Sequence, residues 1–265
     1  MPRRLALITG ASSGIGMAFA RVYAAQGWDV AVTARRADRL DKLCEEIRLR
    51  YGVEAHALPG DLSDPATPEK LYDGVMALGR NIDGLVNNAG YGQPGGFAGN
   101  ALEDQRAMMQ VMMQAPMELT HRVLPGMIAE KFGRIVNVAS LAGLLPASPG
   151  ETLYGPIKTF LIRFSQSLHL EMRDHGIHVS ALCPGFTYSE FHNVTGQTGK
   201  LSKTVPEWCW MGADEVAREG FMAAEANRAA CVPGAPNKTA AALLKVLPDD
   251  WTMEVLAGQL RRFHR

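Results

Sequence analysis

The chain has no surplus of either charge: its 265 residues carry 27 Lys plus Arg against 27 Asp plus Glu. That balance provides neither a basic field for nucleic acid nor an acidic tail, so a small-molecule partner is expected instead. It also lacks any apolar run near the roughly 18 residues of a membrane span, and Ser12 to Gly16 interrupt the apolar start too early for a secretory leader. The expectation is a cytoplasmic protein with no membrane partner. Cysteine is sparse, and Cys44, Cys183, Cys209 and Cys231 form no Cys-x-x-Cys pair, which argues against a zinc site and a disulfide framework; all four are expected as reduced core residues. His175 and His178 stand three apart with no further ligand at metal-like spacing, so no metal is expected. With no Ser/Pro-rich linker, charge block or repeat, residues 1–265 read as one domain.

What is present is alternation. Short apolar or β-branched runs at 5–9, 29–34, 54–59, 83–87, 134–139, 177–183 and 229–233 predict strands. Segments of helical period separate them at 14–26, 38–51, 65–79, 101–130, 153–175 and 213–226. This order predicts an α/β protein: a Rossmann-type doubly wound parallel sheet of about seven strands with helices on both faces. In such a sheet ligands bind beyond the carboxyl ends of the strands.

The residues at those ends carry the chemistry. After the first strand comes Thr9-Gly10-Ala11-Ser12-Ser13-Gly14-Ile15-Gly16, a glycine turn opening a helix. Gly10 and Gly14 let the backbone approach a pyrophosphate, Gly16 lets the helix pack closely on the sheet, and the helix start presents free amides to an anion. Gly10, Ser12, Ser13, Gly14, Ile15 and Gly16 are therefore candidate cofactor contacts. Arg35 and Arg36 follow the second strand, where an acidic residue would accept hydrogen bonds from an adenosine ribose. A cation there suits a 2′-phosphate, which predicts NADP(H) over NAD(H), with Arg35 as the contact and Ser12 as a helper. Asp61, beside Leu62, either bonds the adenine amino group or caps the following helix. Asn88, Ala89 and Gly90 after the fourth strand, and Pro184 and Gly185 after the sixth, complete the crevice.

Tyr154 and Lys158 lie four apart on a helix and share a face, and Ser140 just past the fifth strand is placed to meet that face. An adjacent ammonium and a positively charged nicotinamide would favour the tyrosinate and bring its pKa toward the working pH. Lys158 would also hold ribose hydroxyls, and Ser140 would hydrogen-bond a substrate oxygen as its charge develops.

Taken in order, Thr9-Gly10-x-x-x-Gly14-Ile15-Gly16, Asn87-Asn88-Ala89-Gly90, Ser140, Tyr154-x-x-x-Lys158 and Pro184-Gly185 make the chain resemble the short-chain dehydrogenase/reductase family over nearly its full length. The resemblance implies hydride exchange between a nicotinamide and a carbonyl or alcohol carbon, with Tyr154 as acid or base. It also implies that Asn87 to Gly90 support the central strand and that Ser189 lies where the family binds the carboxamide. Assembly as a homodimer or homotetramer through the helices near 101–130 and 153–175 is implied by resemblance alone. Three departures stand out. The family's relay asparagine, about 28 residues before the serine, is replaced by Met112, a weak acceptor that cannot donate. Met108, Met109, Met113 and Met117 around it suggest a sulfur-rich packing face. Pro156 lies inside the Tyr154 motif, which implies either a helix starting near 152–154 or a displaced Tyr154 backbone. Tyr154 follows Ser140 by 14 positions where 13 is usual, which suggests one extra residue near Ser148-Pro149-Gly150.

A substrate lid is expected over about 186–212, where Phe186, Tyr188, Phe191, Trp208 and Trp210 supply apolar surface. The leading expectation is an NADP(H)-dependent oxidoreductase interconverting an apolar ketone and secondary alcohol. The rival is a catalytically weakened NADP(H)-binding sensor or scaffold. Trp251, Val255, Leu256 and Leu260 near the carboxyl end have helical spacing and predict a packed helix or dimer contact.

Overall fold

A computed structural model describes residues 3–147, 150–190, 205–244 and 246–263, with the side chains of 246–254, 256 and 257 in the last stretch. The strands are β1 Leu5–Thr9, β2 Asp29–Thr33, β3 Ala55–Ala57, β4 Gly84–Asn87, β5 Gly133–Val138, β6 Ile177–Leu182, β7 Thr187–Tyr188, β8 Met211–Gly212 and β9 Ala230–Cys231. The α-helices are α1 Gly14–Ala25, α2 Ala37–Tyr51, α3 Thr67–Met76, α4 Leu102–Met109, α5 Ala115–Glu130, α6 Tyr154–Glu171, α7 Ala213–Glu225, α8 Ala235–Leu244 and α9 Asp249–Phe263.

β1 is buried at every position because helices cover both faces of the sheet. Its alternation divides the core: Ala6 and Ile8 face one layer, Leu5 and Leu7 the other. The first layer holds Phe19 and Tyr23 of α1, Leu40 and Ile47 of α2, and Val216 and Phe221 of α7. Tyr23 meets Phe221 edge to face at 4.9 Å between ring centroids. The second layer holds Leu71 and Val75 of α3, Leu119 and Val123 of α5, and Ile157 and Leu168 of α6. Full burial of each large apolar side chain contributes about 1.5–3 kcal/mol. On α2, the buried set Leu40, Leu43, Cys44 and Ile47 follows the i, i+3, i+4, i+7 spacing, and Gly52 ends the helix with a left-handed backbone, φ 64°.

The seven-stranded sheet runs β3-β2-β1-β4-β5-β6-β9, all pairs parallel. Order reverses between β1 and β4, so their carboxyl ends open the crevice in which such sheets bind ligands. The short β7–β8 pair and α8 are additions that hydropathy alone does not reveal. The seventh strand is shorter than the expected 229–233.

The expected helix over 101–130 is not continuous. A π-helical turn, Gln110–Gln114, separates α4 from α5. Pro116 explains the widening: it has no N–H for the Met112 carbonyl four residues back, and its ring clashes with a regular turn there. Among the described residues, no helix is long and apolar enough to cross a membrane. In α9 the expected packing side chain Trp251 is 69% exposed, while Thr252 is buried.

Candidate active site

The glycine turn is held to the neighbouring strand by polar bonds. Thr9 Oγ1 donates to the Val86 carbonyl and accepts from the amides of Asn88 and Ala89 at 2.9 and 3.0 Å. Asn88 Nδ2 donates to Thr9 O at 2.9 Å and to Gly10 O at 3.3 Å. Space here is limiting: a Cβ on Gly16 would lie 2.4 Å from both Asn88 Nδ2 and Gly10 O. Gly10, with φ 68°, is similarly tight against Asn88 and Ala89. The next strand is fixed the same way, since Asn87 Nδ2 donates to Asn137 Oδ1 at 2.8 Å and Asn137 Nδ2 to Ser165 Oγ at 2.8 Å, all within the core.

The donor set around the turn suits an anion. Ser13 at the start of α1 makes no capping bond, and no acidic side chain lies in the first turn, so the amides beginning at Gly14 and Ile15 face the crevice. Ser12 and Ser13 stand beside them. Their cationic neighbour is Arg36 rather than Arg35: Arg36 Nη2 donates to Ser12 Oγ at 2.9 Å and to Ser13 Oγ at 3.2 Å. Arg35 is exposed, close enough to Tyr91 to act on its phenol electrostatically. Asp61 is exposed and its carboxylate accepts from the Ser63 amide, forming a turn six residues before α3, so of the two roles expected for it the helix cap is not made. A cleft of about 410 Å³ opens beside it, lined by Pro59, Gly60, Asp61, Thr67 and Lys70, whereas Leu62 is buried in the core. Glycine turn, uncapped amides, hydroxyls and guanidinium together fit a dinucleotide with its phosphates on the α1 amino terminus.

α6 starts at Tyr154, which puts Pro156 in the first turn, where its missing amide costs nothing. Lys158 is buried one turn on, its Nζ donating to the Val138 carbonyl at 2.8 Å and lying 5.5 Å from the Tyr154 ring centroid. Ser140 hydrogen-bonds Tyr154, and its Oγ also accepts from the Ala142 amide at 3.1 Å. Gly143 permits this approach, because a Cβ there would sit 2.6 Å from the Lys158 backbone. Pro184 is drawn to the same place by its carbonyl, which accepts from the Leu141 amide at 2.9 Å. Gly185 lies tightly against the buried Asn237 of α8, a neighbour no motif signalled.

Burial dominates the acidities. It pushes the Tyr154 phenol above its ordinary value; the bond with Ser140 opposes the rise and Glu151 adds to it. The lowering expected from the ammonium is not found: the Tyr154 phenol is raised by burial, and desolvation brings Lys158 itself down to about 8. Met112 is fully buried in the π turn, its sulfur accepting from the Tyr91 amide. The sulfur-rich packing face is only partial: Met108 and Met112 are core residues, whereas Met109 and Met117 are exposed. Ser189 packs its Cβ against Gly14. Before it in the chain, Tyr188 stacks on Trp210 at 5.0 Å and Phe186 meets the same ring at a tilt at 5.4 Å, while Trp208 is exposed. Phe191, Ser148 and Pro149 lie outside the described residues. Cys44, Cys183 and Cys231 are free and buried as expected, and Cys209 only partly so.

Residues 4–199 match the family model for short chain dehydrogenases. A serine 3-dehydrogenase from Agrobacterium fabrum is 37% identical over 186 residues, 70% of this chain and 72% of that protein. A short-chain dehydrogenase from Sphingobium yanoikuyae, solved in complex with NADPH, superposes with a TM-score of 0.79 at 31% identity, covering 98% of this chain and 95% of that one. The bulky-bulky ketone specific alcohol dehydrogenase from Comamonas testosteroni does so at 0.77 and 27% identity, covering 100% and 96%.

Proposed function

The chain belongs to the short chain dehydrogenase family, and we propose that it is an NADP(H)-dependent oxidoreductase interconverting an apolar ketone and its secondary alcohol. The observation that carries this reading is the Ser140–Tyr154 hydrogen bond with Lys158 buried beside it, at the carboxyl edge of the sheet next to the glycine turn. A bound nicotinamide supplies the hydride, or accepts it in the reverse direction. Tyr154 gives its proton to the carbonyl oxygen as that atom gains charge, and Ser140 donates a hydrogen bond to the same oxygen. Lys158, titrating near 8, keeps its proton at neutral pH, favours the tyrosinate left behind and holds ribose hydroxyls.

Arg36 with Ser12 and Ser13 would take a 2′-phosphate, and Arg35 adds charge nearby. Gly10, Gly14, Ile15 and Gly16 would line the pyrophosphate, Asp61 and Leu62 the adenine side, Asn88 to Gly90 the central strand, and Pro184, Gly185 and Ser189 the carboxamide. The Sphingobium protein bound to NADPH supports the cofactor, and the Comamonas protein supports a bulky apolar substrate. Phe186, Tyr188 and Trp210 supply apolar surface next to the site. Exposed Met117 and Ile128 on α5 and Leu170 on α6 support self-association of those helices.

The test is consumption of NADPH by purified protein across aliphatic, cyclic and aryl ketones, with NADH and Tyr154→Phe run in parallel. Turnover that prefers NADPH and falls at least a hundredfold without the phenol is expected. Tight NADPH binding with no turnover on any ketone would favour the sensor instead.

A further inference from the structure

Glu190 stands 154 residues after Arg36 and 151 after Arg39, yet its carboxylate joins both. Arg36 Nη1 donates to Oε2 at 2.9 Å and Arg39 Nη1 to Oε1 at 2.7 Å. Arg36 opens α2 and Arg39 lies three residues on, so both guanidiniums project from one face of the first turn. The same Arg36 holds Ser12 through Nε and Nη2 and Ser13 through Nη2, leaving Nη1 for Glu190. Next to Glu190, Ser189 packs against Gly14. The segment after β7 is thus seated on the glycine turn by one carboxylate between two arginines, where a phosphate group would present the same kind of oxygens.

We propose that Glu190 is an internal competitor for the 2′-phosphate, occupying Arg36 and Arg39 until a phosphorylated ligand displaces it, and so setting how strongly the protein distinguishes NADP(H) from NAD(H). The inference rests on the reading of Arg36 as a phosphate contact. The exchange is favourable because both ion pairs are partly solvated, with side chains about two-fifths exposed, and such pairs are individually weak. A phosphate monoester carries close to two charges and three acceptor oxygens against one charge and two oxygens for the carboxylate. A ligand lacking the 2′-phosphate has nothing to exchange and leaves the Glu190 pairs in place. Displacement also releases the Glu190 carboxylate that pins the end of this segment to Arg36 and Arg39.

The experiment compares adenosine 2′,5′-bisphosphate with adenosine 5′-monophosphate as probes, by calorimetry, for the native chain, Glu190→Gln and Arg36→Ala. Removing the competing charge is expected to tighten the bisphosphate about three- to tenfold and leave the monophosphate within twofold. Hydrogen exchange at the amides of 189 and 190 is expected to rise when the native chain binds the bisphosphate and to be raised already in free Glu190→Gln. Equal changes for both probes, or none, in Glu190→Gln would overturn the proposal while Arg36→Ala still weakened the bisphosphate selectively. Loss of that selective effect in Arg36→Ala would instead overturn the phosphate-contact premise, and the proposal with it.

Discussion

Met112 Sδ accepts a hydrogen bond from the Tyr91 backbone N–H at 3.3 Å, joining the π turn to the loop after β4. Between them lies Gly90, where a Cβ would sit 2.9 Å from that sulfur and 3.7 Å from Lys158 Nζ. A thioether thus fills the space beside the ammonium. Met112→Asn is expected to raise turnover severalfold, because an amide both donates and accepts next to Lys158. It should also lose about 2–4 kcal/mol of stability by exchanging a fully buried apolar side chain for a polar one. Met112→Leu, which removes only the acceptor, should cost about 1 kcal/mol. Unchanged turnover in the asparagine variant, measured alongside denaturant unfolding, would sink the idea that Met112 impairs proton supply.

Lys158 titrates near 8 in the folded protein, below its ordinary 10.5, because burial penalises the ammonium. Between those values the unfolded chain binds more protons than the folded one, so this group makes stability rise with pH across that window and lowers it fully below pH 8. Lys158→Met should therefore raise the melting temperature at pH 7 by several degrees while abolishing turnover, and the gain should shrink toward pH 10. Melting curves of both proteins from pH 6.5 to 10 measure it; a constant difference would contradict the assignment.

Gly16 has no room for a methyl group, whereas at Gly126 of α5 a Cβ would meet nothing within 4 Å. Gly16→Ala must push apart Gly10 and Asn88, at a cost of about 1–3 kcal/mol, and should weaken nucleotide binding at least tenfold. Gly126→Ala should instead stabilise by about 0.5–1 kcal/mol and leave binding alone. Urea titrations and nucleotide affinity on the two variants distinguish a packing requirement from a general preference for glycine.

Glu151, three residues before Tyr154, has its carboxyl acidity weakened by burial. A carboxyl pKa raised in the folded state means that the fold holds the proton longer than the unfolded chain does. Its contribution to stability is therefore lost as pH rises from the ordinary carboxyl value of 4.5 through the raised one. Glu151→Gln should be more stable than the native chain at pH 7 and lose that advantage below pH 4.5. A melting-temperature difference independent of pH would count against it.

The glycine turn was legible because its chemistry is local: the strand end, the positive-φ glycines and the helix start lie within eight consecutive residues, Thr9 to Gly16. The break in the 101–130 helix was also written in the chain, at Pro116, but hydropathy does not count a missing amide. Which arginine meets Ser12 was not legible. Arg35 and Arg36 are adjacent, and only the entry angle of α2 decides that Arg36 turns toward the serines.

Periodicity, turn chemistry and spacing within single elements determined the parallel sheet, the order of its strands and helices, the glycine turn and the Tyr154–Lys158 face, because each depends on neighbours a few residues apart. Tertiary structure alone decided that Met112 lies against Tyr91 and Gly90, that Asn237 closes on Gly185, that desolvation governs Tyr154 and Lys158, and that Glu190 joins Arg36 and Arg39. Those contacts join residues up to 154 positions apart, and their energies depend on solvent exclusion, which no local pattern encodes.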